Sequence, residues 1–255
     1  MMEDDMYTVD YTTYTNKGKR EVNEDSCGVA SFRDSYCFVV ADGLGGHGGG
    51  DVASACAVDA VCGLFSQTGY TEHFFRDAFQ NAQRSIIAAQ QQAHTVSQMK
   101  TTLVILVVTP GRTYWAHVGD SRLYHWKNQK LRERTVDHSV PQMLVMSGEI
   151  KESEIRHHPD RNRLLRVLGV KGEQPRYECG KPLRNSGDHT YLLCTDGYWE
   201  LIAENAMTEA LKSGKTLEEW IIHMNSQVLH NGANTEMDNY TAIAVHVKAK
   251  SLLGF

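Results

Sequence analysis

A chain of 255 residues with 41% hydrophobic content is long enough to bury one substantial core, and its five prolines mark no linker, so a single globular unit is expected. The formal charge of -5, with lysines and arginines interspersed among the acids, excludes the basic face that nucleic-acid binding requires, and no stretch approaches the roughly 20 apolar residues of a membrane span. The six cysteines, at 27, 37, 56, 62, 179 and 194, form no CxxC pair, and the start of the chain lacks the basic and apolar pattern of an export signal, so a reducing, cytoplasmic location is expected.

Residues 7–15 alternate and are rich in Tyr, Thr and Val, as are residues 25–32, so the chain begins as β structure. A third strand runs up to Asp42. Beyond a glycine-rich stretch, Ala53, Ala57, Ala60, Val61 and Leu64 fall at helical spacing. Phe74, Phe75, Ala78, Phe79, Ala82 and Ile86 repeat that spacing, with Thr71 as the expected N-cap. The β-branched run 101–109, the Pro110-Gly111 turn, a strand over 113–118, the Gly119-Asp120 turn and a strand over 122–127 predict an antiparallel meander. Residues 137–175 are polar and less regular, with one short helical pattern over 140–146, and are expected to be mobile. Thr216 and Glu219 read as a capping box for a helix carrying Leu217, Trp220, Ile221, Met224 and Val228, with Gly232 as its stop signal. A strand over 240–247 completes the pattern.

Carboxylates recur at the rims of the apolar runs: Asp42 and Asp196 each close one, Asp238 opens another, and Glu24, Asp25 and Asp120 sit at strand ends or tight turns. Acids in such places are costly unless several converge on a cation. No Cys or His ligand spacing accompanies them, and an all-oxygen set suits Mg²⁺ or Mn²⁺ rather than zinc. Two such ions roughly 3.5 to 4 Å apart activate a water and neutralise a phosphoryl group, so phosphate ester hydrolysis is the natural chemistry. The glycines between Asp42 and Gly50 let backbone approach an ion or anion closely, although alone they would read as a flexible turn.

Seven motifs occur in an order that resembles the metal-dependent protein phosphatases of the protein phosphatase 2C family. They are Arg20 with Glu24 and Asp25; Asp42, Gly43 and His47; Thr101 and Thr102; His117 through Arg122, with Asp120 inside; Asp137 to Ser139; Asp196 and Gly197; and Asp238 with Asn239. The similarity spans residues 8–248 as one catalytic domain and is to the compact bacterial branch. It implies an α+β fold, a four-layer αββα sandwich of two antiparallel sheets flanked by helix pairs, with which the elements read above are compatible. By the same resemblance Asp42 would bridge two catalytic ions, with the Gly43 carbonyl on one and Asp196 and Asp238 on the other. Glu24 and Asp25 would act through water, Arg20 would grip the phosphate, and Asn239 would support the site. Asp120 with Asp196 would hold a third, weaker ion, and residues 140–175 would form a flap beside the site. The implied activity is hydrolysis of phosphoserine and phosphothreonine in proteins, opposing a bacterial Ser/Thr kinase, by a monomer.

Two positions depart from the family. Leu44 stands where animal members often have a histidine read as general acid, so the leaving-group proton must come from elsewhere. Lys100 replaces the glycine that usually precedes the paired threonines. A phosphatase of small phosphate esters, a silent phosphopeptide-binding module and a nucleotide-binding loop are the alternatives; the silent module would lack metal ligands, and the loop has no lysine in a phosphate-binding pattern. His47, His94, His117, His125 and His138 are scattered and are assigned no catalytic role. Asp137 to Ser139 is expected to cap the following helix, Trp115, Tyr124 and Trp126 to pack in the core, and the basic stretch 156–166 to form a solvated surface.

Overall fold

The central strands of this protein are apolar on both faces, so each sheet has to be covered twice. The computed structural model, which describes residues 7–45, 49–93 and 99–249, does this with four layers. In chain order the elements are β1 (Tyr7–Asn16), β2 (Asp25–Phe32), β3 (Ser35–Leu44), α1 (Gly50–Thr68), α2 (Phe74–Gln92), β4 (Lys100–Thr101), β5 (Leu103–Thr109), β6 (Arg112–Val118), β7 (Arg122–Lys127) and β8 (Lys130–Arg134). They continue with α3 (Val140–Ser147), a 3-10 turn (Glu152–His157), β9 (Glu178–Cys179), β10 (Leu183–Arg184), β11 (Asp188–Cys194), α4 (Asp196–Trp199), α5 (Glu204–Ser213), α6 (Leu217–Gly232) and β12 (Tyr240–Ala249). One antiparallel sheet has the order β1-β12-β11-β7-β8; the other runs β10-β6-β5-β3-β2, with β4 added to β3 and β9 to β6.

Alternation along each strand sorts the side chains between layers. Phe38, Val40, Val104 and Leu106 meet Leu123, Leu193, Ile243 and Val245 between the sheets. On the outer face of the second sheet Val39, Ala41 and Ile105 pack under Ala57, Val61 and Phe65 of α1 and Phe79 and Ile86 of α2. On the outer face of the first, Tyr124, Trp126, Leu192 and Ala244 lie under Met207 of α5 and Trp220, Met224 and Val228 of α6. Leaving either outer face wet would forgo about 1.5–3 kcal/mol for each large side chain, which is why both helix pairs are needed. No helix among the described residues is long and apolar enough to cross a membrane.

Several expectations are corrected. The predicted meander breaks at Gly119-Asp120: β5 and β6 pair in one sheet, whereas β7 crosses to the other and pairs with β11 and β8. Gly119 permits the crossing, because its φ of 99° suits glycine and a Cβ there would collide with Thr102. The N-cap of α2 is His73 rather than Thr71, which contributes its carbonyl to the Phe74 N–H. Only half of the capping box on α6 forms: Thr216 accepts from the Glu219 N–H at 3.2 Å, but the Glu219 carboxylate takes the N–H of Lys215 at 2.7 Å. Gly232 is the last helical residue rather than a residue beyond the end. Lys100, which stands in place of the family's glycine, lies extended in β4 opposite Leu44. All six cysteines are free.

Candidate metal centre

The topology carries five carboxylates to one end of the sandwich. Asp25 at the start of β2 is in register with Asp42 near the end of β3. Asp196 follows the end of β11, whose Cys194 pairs with Ala242, so Asp238, just ahead of β12, shares that edge. Asp120 links Val118, paired with Leu103 at the start of β5, to Arg122, paired with Cys194. The carboxylates found at the rims of apolar runs are therefore neighbours in space.

Hydrogen bonds from neighbouring segments fix the strand that carries Asp42 and the loop beside it. Thr102 accepts from the Asp42 N–H at 2.9 Å and Thr101 donates to the Asp42 carbonyl at 2.8 Å, while the Thr102 and Ser121 hydroxyls meet at 2.7 Å. These contacts give the paired threonines and the serine after Asp120 their purpose: they clamp the strand that carries Asp42. Gly43 lies so close to the carbonyls of Gly50 and Glu24 that no side chain fits. Asn239 accepts from the Glu24 N–H at 2.7 Å and donates to the carbonyls of Lys17 and Val22 at 2.9 and 3.0 Å, so one amide pins the loop that carries Arg20. Gly18, at φ 59°, is required in that loop because a Cβ would strike the Asp238 backbone. His47 and His94 lie outside the described residues.

Burial and mutual repulsion disfavour the ionised carboxylates of the site. Burial and repulsion from Asp196, Asp25, Asp120 and Asp238 push the Asp42 carboxyl well above the usual carboxylate range. Asp120 is raised by burial and by Asp196 and Asp137. Asp25 is pushed up to about 8 by burial, although hydrogen bonds from Thr241 and Thr195 oppose this, and Asp196 to about 6 by burial and Asp238. Glu24 is raised, mainly by burial and Asp51. Asp238 turns to Arg20 at 2.7 Å and Asp25 to Thr195 at 2.8 Å. Among the described residues no three His, Cys, Asp or Glu side chains, as placed, converge closely enough to hold an ion. Buried carboxyls that raise one another's pKa values are nevertheless the donor chemistry that a hard divalent cation satisfies, so the residues fit one.

The polar residues 137–175 are more firmly tied than their composition suggested. Arg156, Arg161 and Arg166 are ion-paired with Glu204, Glu200 and Glu178 rather than free in solvent. Ser139 caps α3 through the Gln142 N–H, but Asp137 instead grips Arg122 with both oxygens at 2.8 and 2.6 Å, and His138 accepts from the Gly119 N–H at 3.2 Å. The histidines prove paired: His117 stacks on His138, and His125 on His189. Trp115, Tyr124 and Trp126 are buried. A cleft of about 700 Å³ opens beside Asp196 and Asp238, walled by Arg20, Arg161, Asn162 and Glu200. The Arg122–Asp137 pair, Trp199 and Glu204 carry no local sequence signal of their roles, since their partners are remote in the chain.

Comparison with known proteins places the fold in a known family. The family model described as protein phosphatase 2C matches residues 14–240. The serine/threonine phosphatase stp of Listeria monocytogenes is 37% identical over 213 residues, covering 80% of this chain and 84% of its own length. The crystal structure of Stp1 from Staphylococcus aureus superposes with a TM-score of 0.84 at 27% identity, covering 96% of each chain. The catalytic domain of the phosphatase PstP in complex with two manganese ions shares the fold, with a TM-score of 0.80 at 24% identity over 95% of this chain and 100% of that one.

Proposed function

The chain belongs to the protein phosphatase 2C family, and we propose that it removes phosphate from phosphoserine and phosphothreonine in proteins with two Mn²⁺ or Mg²⁺ ions and a third, weaker one. It is a metal-dependent serine/threonine protein phosphatase. The observation that carries the detailed reading is the convergence of Asp25, Asp42, Asp120, Asp196 and Asp238 on one rim, with the Arg20 guanidinium 2.7 Å from Asp238. Asp42 and the Gly43 carbonyl would hold one ion and Asp42, Asp196 and Asp238 the other, with Glu24 and Asp25 acting through water and Asp120 with Asp196 holding the third. When bound, such ions supply a water activated for in-line attack and neutralise charge on the phosphoryl group. Cys27, Cys37, Cys62, Cys179 and Cys194 have thiols raised above their ordinary values by burial, so none of these five is activated as a nucleophile. The reading includes a bacterial Ser/Thr kinase acting on the same substrates, a cytoplasmic monomer and residues 8–248 as the single catalytic domain with its flap.

Phosphopeptide hydrolysis should vanish with a chelator and return with Mn²⁺ better than with Zn²⁺, because the donors are all oxygen. Full turnover in metal-free buffer would overturn the reading. Arg20, paired at an exposed site, is free to turn its planar fork from Asp238 to a phosphate. Arg20→Ala should therefore raise KM for phosphopeptides about tenfold or more, the worth of a hydrogen bond to a charged group, and change kcat less. An unchanged KM with lowered kcat would assign Arg20 another role.

A further inference from the structure

A buried set of contacts ties the flap to Asp120. The indole N–H of Trp199 donates to the Asp120 carbonyl at 3.0 Å. The Arg122 guanidinium covers the Trp199 ring 3.3 Å from its centroid, and Arg156, from the 3-10 turn of the flap, lies 5.5 Å from it. Glu204 at the start of α5 joins these groups: it accepts from Arg156 at 2.6 Å and from the Tyr124 hydroxyl at 3.0 Å, and stands 3.7 Å from Arg122. On its other side the Gly119-Asp120 link is bonded to His138, which accepts from the Gly119 N–H at 3.2 Å and donates its own N–H to the Gly119 carbonyl at 2.9 Å.

The arrangement is more than a core ion pair. Arg122 already has both oxygens of Asp137, so its charge is met without Glu204. Arg156 is the member that comes from the flap, and its second terminal nitrogen is buried with no hydrogen-bond partner among the described residues. A guanidinium so placed is held by Glu204 and by the aromatic face alone, so its position follows that of the flap. The link it bears on, through Trp199, carries the carboxylate assigned to the weakest ion.

We propose that Arg156, Glu204 and Trp199 are positioning residues for the third ion, through which docking of the flap sets Asp120. The proposal rests on the reading of Asp120 as a ligand of that ion. Outer partners that orient a ligand typically change metal affinity by about 10–100-fold. In calorimetric Mn²⁺ titration of the full chain, Arg156→Gln and Glu204→Gln should leave the two tighter binding events at parent values and weaken the weakest one about tenfold. Arg156→Lys should weaken it less, and adding Arg156→Gln to Asp120→Ala should change nothing further. Tryptophan fluorescence should lose the part of its Mn²⁺ response that follows the weak event. If Asp120→Ala removes the weak event while the cooperatively folded Arg156→Gln and Glu204→Gln variants keep it unchanged, the positioning role is wrong. If Asp120→Ala itself leaves the titration unchanged, the third-ion reading fails and the proposal with it.

Discussion

Asp42→Asn should abolish turnover and, in the metal-free protein, raise stability. The two effects have one cause. The Asp42 carboxyl is surrounded by Asp196, Asp25, Asp120 and Asp238, and its pKa is driven up by burial and by that repulsion. Its backbone is meanwhile fixed by Thr101, Thr102 and the pairing to Asp25. An amide keeps the shape and needs no proton, so the folded apoprotein no longer has to hold protonated a group that the unfolded chain leaves ionised at neutral pH. A bridging carboxylate supplies several kcal/mol of charge stabilisation, so its removal should lower kcat by about 10³-fold or more. Asp238→Asn should fail similarly in turnover but gain less stability, because Arg20 already compensates that carboxylate at 2.7 Å. Steady-state kinetics with phosphopeptide and thermal unfolding in chelator measure both halves. Near-normal turnover in either variant would show that the ligand assignment is wrong, whereas a destabilised Asp42→Asn apoprotein would refute the electrostatic account alone.

Much of the architecture was legible because it follows from periodicity. The strand faces of β3 and β5, the apolar spacing of α1 and α2 and the closing strand β12 are where local pattern and burial agree. The carboxylates were legible for the opposite reason: they sit where an apolar run should have ended in a neutral turn. What local pattern cannot encode is which sheet a strand joins. Gly119-Asp120 has the look of a hairpin turn, yet the chain uses it to cross between layers, and the decisive close approach to Thr102 is to a residue remote in sequence. β8 was missed because Lys130 to Arg134 alternates no apolar face, and its two-residue turn, Asn128-Gln129 with φ of 50° and 58°, lacks the glycine that usually announces such turns. α5 was missed because Ala203 offers it no side-chain cap. The pair Arg122–Asp137 and the Trp199 contact to Asp120 are tertiary facts, invisible until the layers are assembled.

The metal-free protein should lose stability as pH rises from about 6.5 to about 8.5, and saturating Mn²⁺ should largely remove that slope. Asp25 is raised to about 8, Asp196 to about 6 and Glu200 to about 7, chiefly by burial, and Asp42 and Asp120 are also raised well above the usual carboxylate range. A carboxyl whose folded pKa exceeds its unfolded value of about 4 holds its proton more tightly in the native state. Its contribution to stability is complete below about pH 4 and is lost as pH climbs through the folded pKa. Buried histidines oppose this only at lower pH. His125 is lowered to about 3 and His138 to about 4 by burial, so their contribution is present above about pH 6.5 and lost as pH falls. Above about pH 6.5 the carboxyls therefore lead, and the buried thiols, raised by burial above an ordinary value of about 8.5, add to the same loss at the upper end. A loss of about 1–3 kcal/mol over that window would lower Tm by about 2–4 °C per kcal/mol for a domain of this size. Ions bound to the same oxygens displace those protons and stabilise the fold by about 2.7 kcal/mol at a hundred times Kd, so the gap between loaded and metal-free Tm should widen with pH. A metal-free Tm that is level or rising between these limits would mean that the carboxyls are not electrostatically coupled in the native state, and that the cation's place among them has been misjudged.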